Sequence, residues 1–362
     1  MLETLKNIVL FAILLLTIVS IHELGHLIAA KAFGVYCQEY SIGMGPKIFS
    51  RKGKETEFSI RAFPLGGFVS MAGDSENALE TTADTTDIPF ERTLPGIKPW
   101  KRIIVMLAGI FMNIVLALLI YGLTICFNGS YGVAGKPLIV EVNADSPAER
   151  CGLKADDIVL NIAFDNGMSL SPDSYVEVSA FTSAYDGNGQ WEVTVLRGKD
   201  KKTFELTPEY SEEYGRYMIG ITFADSYEYV DTNIFNCWKY AIDYIGFVLK
   251  LTISAFKGIF SKSGLNNLSG PVGIYSTVAE TSSYGAGYYL QLIALLSLNV
   301  GVFNALPLPI FDGGRVVLTL AEVVLGRPID KKMENAIMTA CLILLVGMMI
   351  LVTYNDILKL FR

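Results

Sequence analysis

Ile21-His22-Glu23-Leu24-Gly25-His26 stands near the end of the first long apolar run, about Leu5 to Ala30. Polar side chains that deep in a hydrophobic helix are costly and usually functional. His22 and His26 are four residues apart, so a helix puts both imidazoles on one face. Glu23 lies beside them. Two histidines at this spacing with an intervening Glu form the H-E-x-x-H pattern. In it the imidazoles ligate zinc and the carboxylate acts as general base. The tetrapeptide spacing alone is common. Here it is strengthened because the chain has 2 histidines and both are in the motif.

Working outward, the composition sets the class. Of 362 residues, 51% are hydrophobic and 18% charged, and the mean hydropathy is +0.41. A soluble domain carries about 25% charged residues, so the chain reads as a multi-pass membrane protein with some soluble structure. Net charge is −7, and no basic block suggests nucleic acid. The 5 cysteines are odd in number and scattered, without C-x-x-C. That supports neither a disulfide framework nor a thiolate zinc site. The N-terminal run lacks a positive n-region and a small-x-small cleavage site, so it reads as a retained membrane helix.

Four runs approach or exceed the roughly 20 apolar residues that cross a bilayer: about Leu5–Ala30, Ile103–Phe127, about Tyr288–Leu306 and about Ala336–Tyr354. Lys31, Lys47, Arg51, Lys52, Lys54, Arg61, Arg92, Lys98, Lys101 and Arg102 crowd the loop between the first two. The positive-inside rule makes that loop cytoplasmic. His22 then lies toward the cytoplasmic end of its helix, roughly 25 Å into a roughly 30 Å core.

Inside this loop, Tyr40–Phe49 and Thr56–Phe63 read as strands joined by a turn at Arg51–Lys54. Pro64–Gly73 follows, apolar and Gly-rich. The favoured reading is a sheet dipping into the membrane beside the histidines. Irregular backbone there must line protein or a wet cavity. Residues 74–99 are polar and acid-rich and read as a linker.

Gly129 to about Asp225 is soluble in character. Strands are expected at Pro137–Val142, Ala155–Leu160 and Tyr217–Phe223. Ser146–Gly152 reads as a capped short helix, and Trp191–Leu196 with Lys202–Leu206 as a hairpin. The order resembles a PDZ domain of the bacterial protease type. Phe235–Phe260 carries Lys239, Asp243, Lys250, Ser254 and Lys257 at helical spacing. It is expected to lie in the membrane interface rather than to span it.

The third span runs into Asn304-Ala-Leu-Pro-Leu-Pro-Ile-Phe-Asp-Gly-Gly-Arg315. With Phe235–Phe260 not crossing, parity carries Asp312 to the cytoplasmic side, at the level of the histidines. A lone Asp before Gly-Gly is commonly a turn residue. The ligand reading is preferred because two histidines are an incomplete site, and a carboxylate is a usual third ligand of catalytic zinc.

Taken together, the chain resembles the site-2 protease family of intramembrane zinc metalloproteases, closest to its bacterial PDZ-containing branch. The residues carrying the resemblance are His22–His26, Ser41–Pro46, Pro64–Phe68 with Met71–Gly73, Leu268–Pro271 and Asn304–Gly314. The resemblance implies zinc held by His22, His26 and Asp312, with Glu23 as the catalytic base. Asn304 is implied to contact substrate, and the loop containing Gly67, Phe68, Val69 and Met71 to receive it as an added strand. The implied fold is about four transmembrane helices, a membrane-associated β-hairpin loop and an extracytoplasmic PDZ domain, in a bacterial cytoplasmic membrane. The implied domains are 1–128, holding the first two spans with the β-loop 37–73 and linker 74–99, then the PDZ domain at 129–228. An interfacial helix at 229–262 and a C-terminal membrane region at 263–362 complete them. The implied substrates are single-pass membrane proteins, such as an anti-sigma factor after a first cleavage or signal-peptide remnants. Two other readings compete: a PDZ-bearing membrane adaptor with a vestigial metal site, and a zinc transporter. Glu23 argues against the first, since a structural zinc needs no base. The scarcity of histidines argues against the second.

Overall fold

The computed structural model describes residues 2–74, 88–183, 185, 189–212, 216–224, 227–258, 270–327 and 329–360. Most of the expected linker, the Leu268-Ser269 pair and the end of the interfacial segment lie outside the described residues. The chain divides into two compact units, one of Met1–Tyr121 with Gly270–Arg362, the other Gly122–Ser269.

In chain order, α1 (Leu2–Ala32) leads into β1 (Cys37–Lys52) and β2 (Glu57–Met71). The turn expected at Arg51–Lys54 falls two residues later, because Arg51 and Lys52 still pair with Phe58 and Glu57, and the Gly53 amide closes the turn on the Thr56 carbonyl at 2.8 Å. The Gly-rich stretch after Phe63 does not leave the sheet: β2 bends and returns along β1. Tyr40, Ser41 and Ile42 pair with Phe58, Ser59 and Ile60 on one side and with Val69, Phe68 and Gly67 on the other. Two long strands thus make four short ones, with Cys37–Ile42 inside and Gly67–Met71 outermost. The bend in β1 needs Gly43, where φ is +85° and a Cβ would lie 2.7 Å from the Phe63 carbonyl oxygen. The sheet packs on α1 through Leu27, Ala30, Val35, Cys37, Tyr40, Val69 and Met71. The Tyr40 hydroxyl donates to the Ser20 carbonyl at 2.7 Å. Burial, with the Glu23 carboxylate nearby, pushes that hydroxyl up to about 12, so it stays a donor.

α2 (Pro99–Asn128) is the second long apolar helix. The unit that begins at its end contains β3 (Ser130–Ala134), β4 (Ile139–Val142), α3 (Pro147–Cys151), β5 (Ile158–Phe164), β6 (Ser169–Leu170) and α4 (Tyr175–Ser183). β7 (Trp191–Arg197), β8 (Asp200–Leu206), β9 (Glu209–Ser211), β10 (Arg216–Met218), β11 (Ile221–Phe223) and β12 (Tyr227–Asp231) follow. α5 (Cys237–Gly258) closes the unit. Its main sheet has the order β6-β5-β7-β8. The sequence anticipated α3 in detail: Ser146 accepts from the Glu149 amide, and Gly152 ends the helix at φ 92°. The expected strand Tyr217–Phe223 is instead two, broken at Gly220 with φ 76°. α4 was not anticipated, because its short run lacks a clean period. The core centres on Trp191, Phe164, Phe181, Val193 and Ile162.

The chain returns through α6 (Pro271–Ser283), α7 (Ala286–Asn304), α8 (Asp312–Leu325) and α9 (Lys331–Leu360). Asp356 of α9 accepts from the Gly270 and Gly273 amides, satisfying the start of α6. Leu14 and Ile18 of α1 meet Val278, Leu292 and Ile293 of α6 and α7. Among the described residues, four helices are long and apolar enough to cross a membrane: Glu3–Ala32, Pro99–Asn128, Ala286–Asn304 and Ala336–Tyr354. They coincide with the four runs read from sequence. Asp312-Gly313-Gly314 is not a free turn, since it opens α8.

Candidate metal centre

The site is assembled by four helices, α1, α2, α7 and α8, and by strand β2. α1 presents His22 and His26 four residues apart, their Nε2 atoms 3.1 Å from each other. The break after α7 turns the chain so that Asp312, first residue of α8, faces them. Its Oδ2 lies 3.1 Å from His22 Nε2 and 3.4 Å from His26 Nε2. All three groups are nearly closed to solvent, the histidines at 7% and 6% exposure.

These atoms fit a zinc ion. Tetrahedral ligands with zinc bonds of about 2.0–2.1 Å sit about 3.3 Å from one another, close to the three separations here. His26 Nδ1 lies 2.8 Å from the Val105 carbonyl oxygen, which can only accept. Nδ1 therefore carries the proton, and the lone pair is on Nε2. Among the described residues, Asp312 Oδ2 is buried without a hydrogen-bond partner. Acceptors converging on one point in an apolar setting call for a cation between them. Room is left by Gly109 of α2. A Cβ there would fall 2.4 Å from His26 Nε2 and 2.8 Å from His22 Nε2. Gly25, inside the motif, lets α2 come this close, since a Cβ there would be 2.3 Å from the Ala108 carbonyl oxygen.

Glu23 is within reach of the same point: one ligand atom each of His22, Glu23 and His26 lie within 4.8 Å of one another. Its Oε2 accepts from the Val69 amide at 3.1 Å. The sequence assigned Val69 to substrate pairing, whereas the structure gives its N–H to Glu23. This bond ties the carboxylate to an edge strand of the sheet. A cavity of about 380 Å³ opens here. His22, Glu23, His26, Asp312, Asn304, Gly67, Phe68, Val69 and Met71 all line it. Every sequence-assigned site residue therefore meets at one place, although they come from segments nearly 300 residues apart. The wall also contains Asp74 and Arg315, joined as an ion pair, which the sequence reading had not placed.

The profile of peptidase family M50 matches residues 10–348. The chain belongs to that family. It is 34% identical over 354 residues to a protein of Clostridium perfringens that carries a provisional zinc-metalloprotease name, covering 96% of this chain and 98% of that one. It is 28% identical over 432 residues to the Regulator of sigma-W protease RasP of Bacillus subtilis, covering 98% and 99%. Zinc metalloprotease RasP of Geobacillus kaustophilus is 28% identical over 433 residues, with 100% of both chains covered. As a member of family M50, the site-2 proteases, the chain is a zinc metalloprotease. Its four long apolar helices mark an integral membrane protein of that family.

Residues missed by sequence reasoning are the second row on α2: Val105, Gly109 and Asn113. A signal existed. Asn113 is a lone amide in the middle of an otherwise apolar span, the kind of placement that marks a functional position.

Proposed function

We propose that this protein hydrolyses a peptide bond in the transmembrane segment of a membrane-protein substrate. His22, His26 and Asp312 hold the zinc, and Glu23 serves as the base. The observation that carries this is the convergence of three acceptor atoms, 3.1–3.4 Å apart, within a nearly closed pocket at the end of an apolar helix. Zinc, when bound there, supplies Lewis acidity that polarises the scissile carbonyl and acidifies water. Glu23 Oε1 takes the water's proton and passes it to the leaving nitrogen. The Val69 amide keeps that carboxylate aimed during both transfers. Asn304, at the end of α7 on the same cavity, offers an amide to the substrate backbone.

A helical substrate cannot be cut while its carbonyls are sheathed by helical hydrogen bonds. Gly67–Met71, outermost in the sheet and lining the cavity, supports binding of an unwound segment as a further strand. Helix-breaking residues in the substrate span then favour cleavage.

The basic loop supports a cytoplasmic placement of the pocket. The inserted unit, with its capped α3 and four-stranded sheet, supports an extracytoplasmic PDZ domain, and the polar stripe of α5 supports a helix at the outer interface. The name of the Bacillus subtilis relative, a regulator of a sigma factor, supports anti-sigma factors as substrates, cut after a first protease has trimmed them.

The test combines metal analysis of the purified protein with cleavage of a transmembrane peptide. Wild type is expected to hold zinc and cut the peptide, and His22→Ala to hold none. Glu23→Gln is expected to keep zinc and lose activity by about 10²- to 10⁴-fold. Near-normal cleavage by Glu23→Gln would remove the base assignment.

A further inference from the structure

Val105, Gly109 and Asn113 are four residues apart on α2 and so share one face. That face lies against the two histidines. The Val105 carbonyl holds His26 Nδ1 at 2.8 Å, and Gly109 leaves the space in front of both Nε2 atoms. Asn113 stands beside the other ring: its side-chain amide nitrogen is 3.3 Å from His22 Nδ1. The residue is fully buried, and among the described residues its Oδ1 has no hydrogen-bond partner. Its main chain is fixed, because Ser297 of α7 donates to the Asn113 carbonyl at 3.0 Å.

An amide presents an acceptor and a donor related by a half-turn. If His22 Nε2 keeps its lone pair for a metal, Nδ1 carries the proton and needs an acceptor. Turning the amide brings Oδ1 to that proton. One rotation then satisfies both the orphaned oxygen and the ring.

We infer that Asn113 is the positioning residue of His22, accepting from Nδ1–H and so fixing the ring's tautomer and aim toward the metal. It does for His22 what the Val105 carbonyl does for His26. The inference rests on the reading of His22, His26 and Asp312 as the ligand set. Partners of this kind, one step behind the ligands, usually contribute 10–100-fold to metal affinity. The competing role is plain interhelical glue, with Asn113 joining α2 to α7 and α1 as buried amides do in membranes.

The experiment measures zinc affinity of the full chain in detergent by competition with a chromophoric chelator. The visible spectrum of the cobalt-substituted protein is recorded alongside. Asn113→Leu, close in size but without an acceptor, is expected to bind zinc about 10- to 100-fold more weakly and to alter the cobalt spectrum. Asn113→Asp keeps the acceptor and is expected to stay close to wild type in both. Ser297→Ala removes the main-chain anchor alone and is expected to lower thermal stability while leaving affinity in place. If Asn113→Leu does not fold, Asn113→Ala takes its place. Undiminished affinity in the variant lacking the acceptor overturns the inference, and so does equal weakening by leucine and aspartate. If His22→Ala binds zinc like wild type, the ligand assignment itself fails and takes this inference with it. If zinc depends on His22 but not on Asn113, this inference alone fails.

Discussion

The two compact units are built on opposite plans. The unit inserted between α2 and α6 hides its apolar side chains: Trp191, Phe181, Ile162 and Val193 are at 0–1% exposure. The unit containing the candidate metal centre leaves much of its apolar surface outside. Between 6% and 33% of each spanning window is buried, and Ile8, Phe111, Leu344 and Ile350 face outward. Beside apolar contacts such as Leu14 and Ile18 with Leu292, it hides polar groups around the candidate site: His22, His26, Asn113 and Ser297. One unit uses water to drive its core together. The other sits in a solvent that already accepts apolar surface, so its interior is free for ligands, and hydrogen bonds hold its helices. Damage to the first is expected to appear as lost stability. Damage to the second is expected to appear as lost metal or activity.

The strongest test of this contrast is Gly109→Ala. The added methyl would sit 2.4 Å from His26 Nε2, so zinc and peptide cleavage should both be lost while helix content by circular dichroism is retained. A variant with full zinc would show that the pocket can yield at α2.

Phe164→Ala tests the other side. Phe164 packs against Phe181, Tyr185 and Trp191, with ring centroids 4.4–4.8 Å apart. Truncation should destabilise the inserted unit by about 3–5 kcal/mol, read as earlier proteolysis or a lower unfolding midpoint. Zinc stoichiometry should not change. Loss of zinc here would break the separation of roles.

A smaller effect is expected at the Asp157–Arg197 pair of the inserted unit, 2.7 Å apart, with Asp157 fully buried. Burial pushes the Asp157 carboxyl up, but the Arg197 hydrogen bonds and the Lys154 amide outweigh it and hold it below its ordinary value. The stability it contributes is therefore present above the unfolded value of about 3.9 and lost as pH falls through the folded one. Asp157→Asn should cost about 2–3 kcal/mol at neutral pH and should flatten the decline between about pH 5 and the acid limit. An unchanged acid profile would place that sensitivity elsewhere.

The smallest expected effect is Tyr40→Phe, which removes the donor to the Ser20 carbonyl between sheet and helix. It should cost about 1 kcal/mol. Because the sheet also carries the Val69 amide that aims Glu23, cleavage should slow more than stability falls. Equal, slight effects on both would make Tyr40 a packing residue only.

The four spans were legible because a bilayer imposes a length and a composition that a sequence cannot disguise. The histidine pair was legible because i and i+4 must share a helical face. α3 was legible because its cap and its terminal glycine are local chemistry. The doubled sheet was not, since nothing in Pro64–Met71 says that it returns to the same strand. α4 and the break at Gly220 were hidden for the same reason: short runs lack a period.

Residue identity by itself determined which chemistry this protein could hold: two histidines, a carboxylate between them and another far downstream. Tertiary structure decided how those groups are aimed. It gave the Val69 amide to Glu23, the Val105 carbonyl to His26, the Asn113 amide to His22 and a glycine's worth of space in front of both imidazoles. These are contacts between segments distant in sequence, fixed by how closely α2 and the sheet approach α1. Spacing along a chain carries no record of that approach.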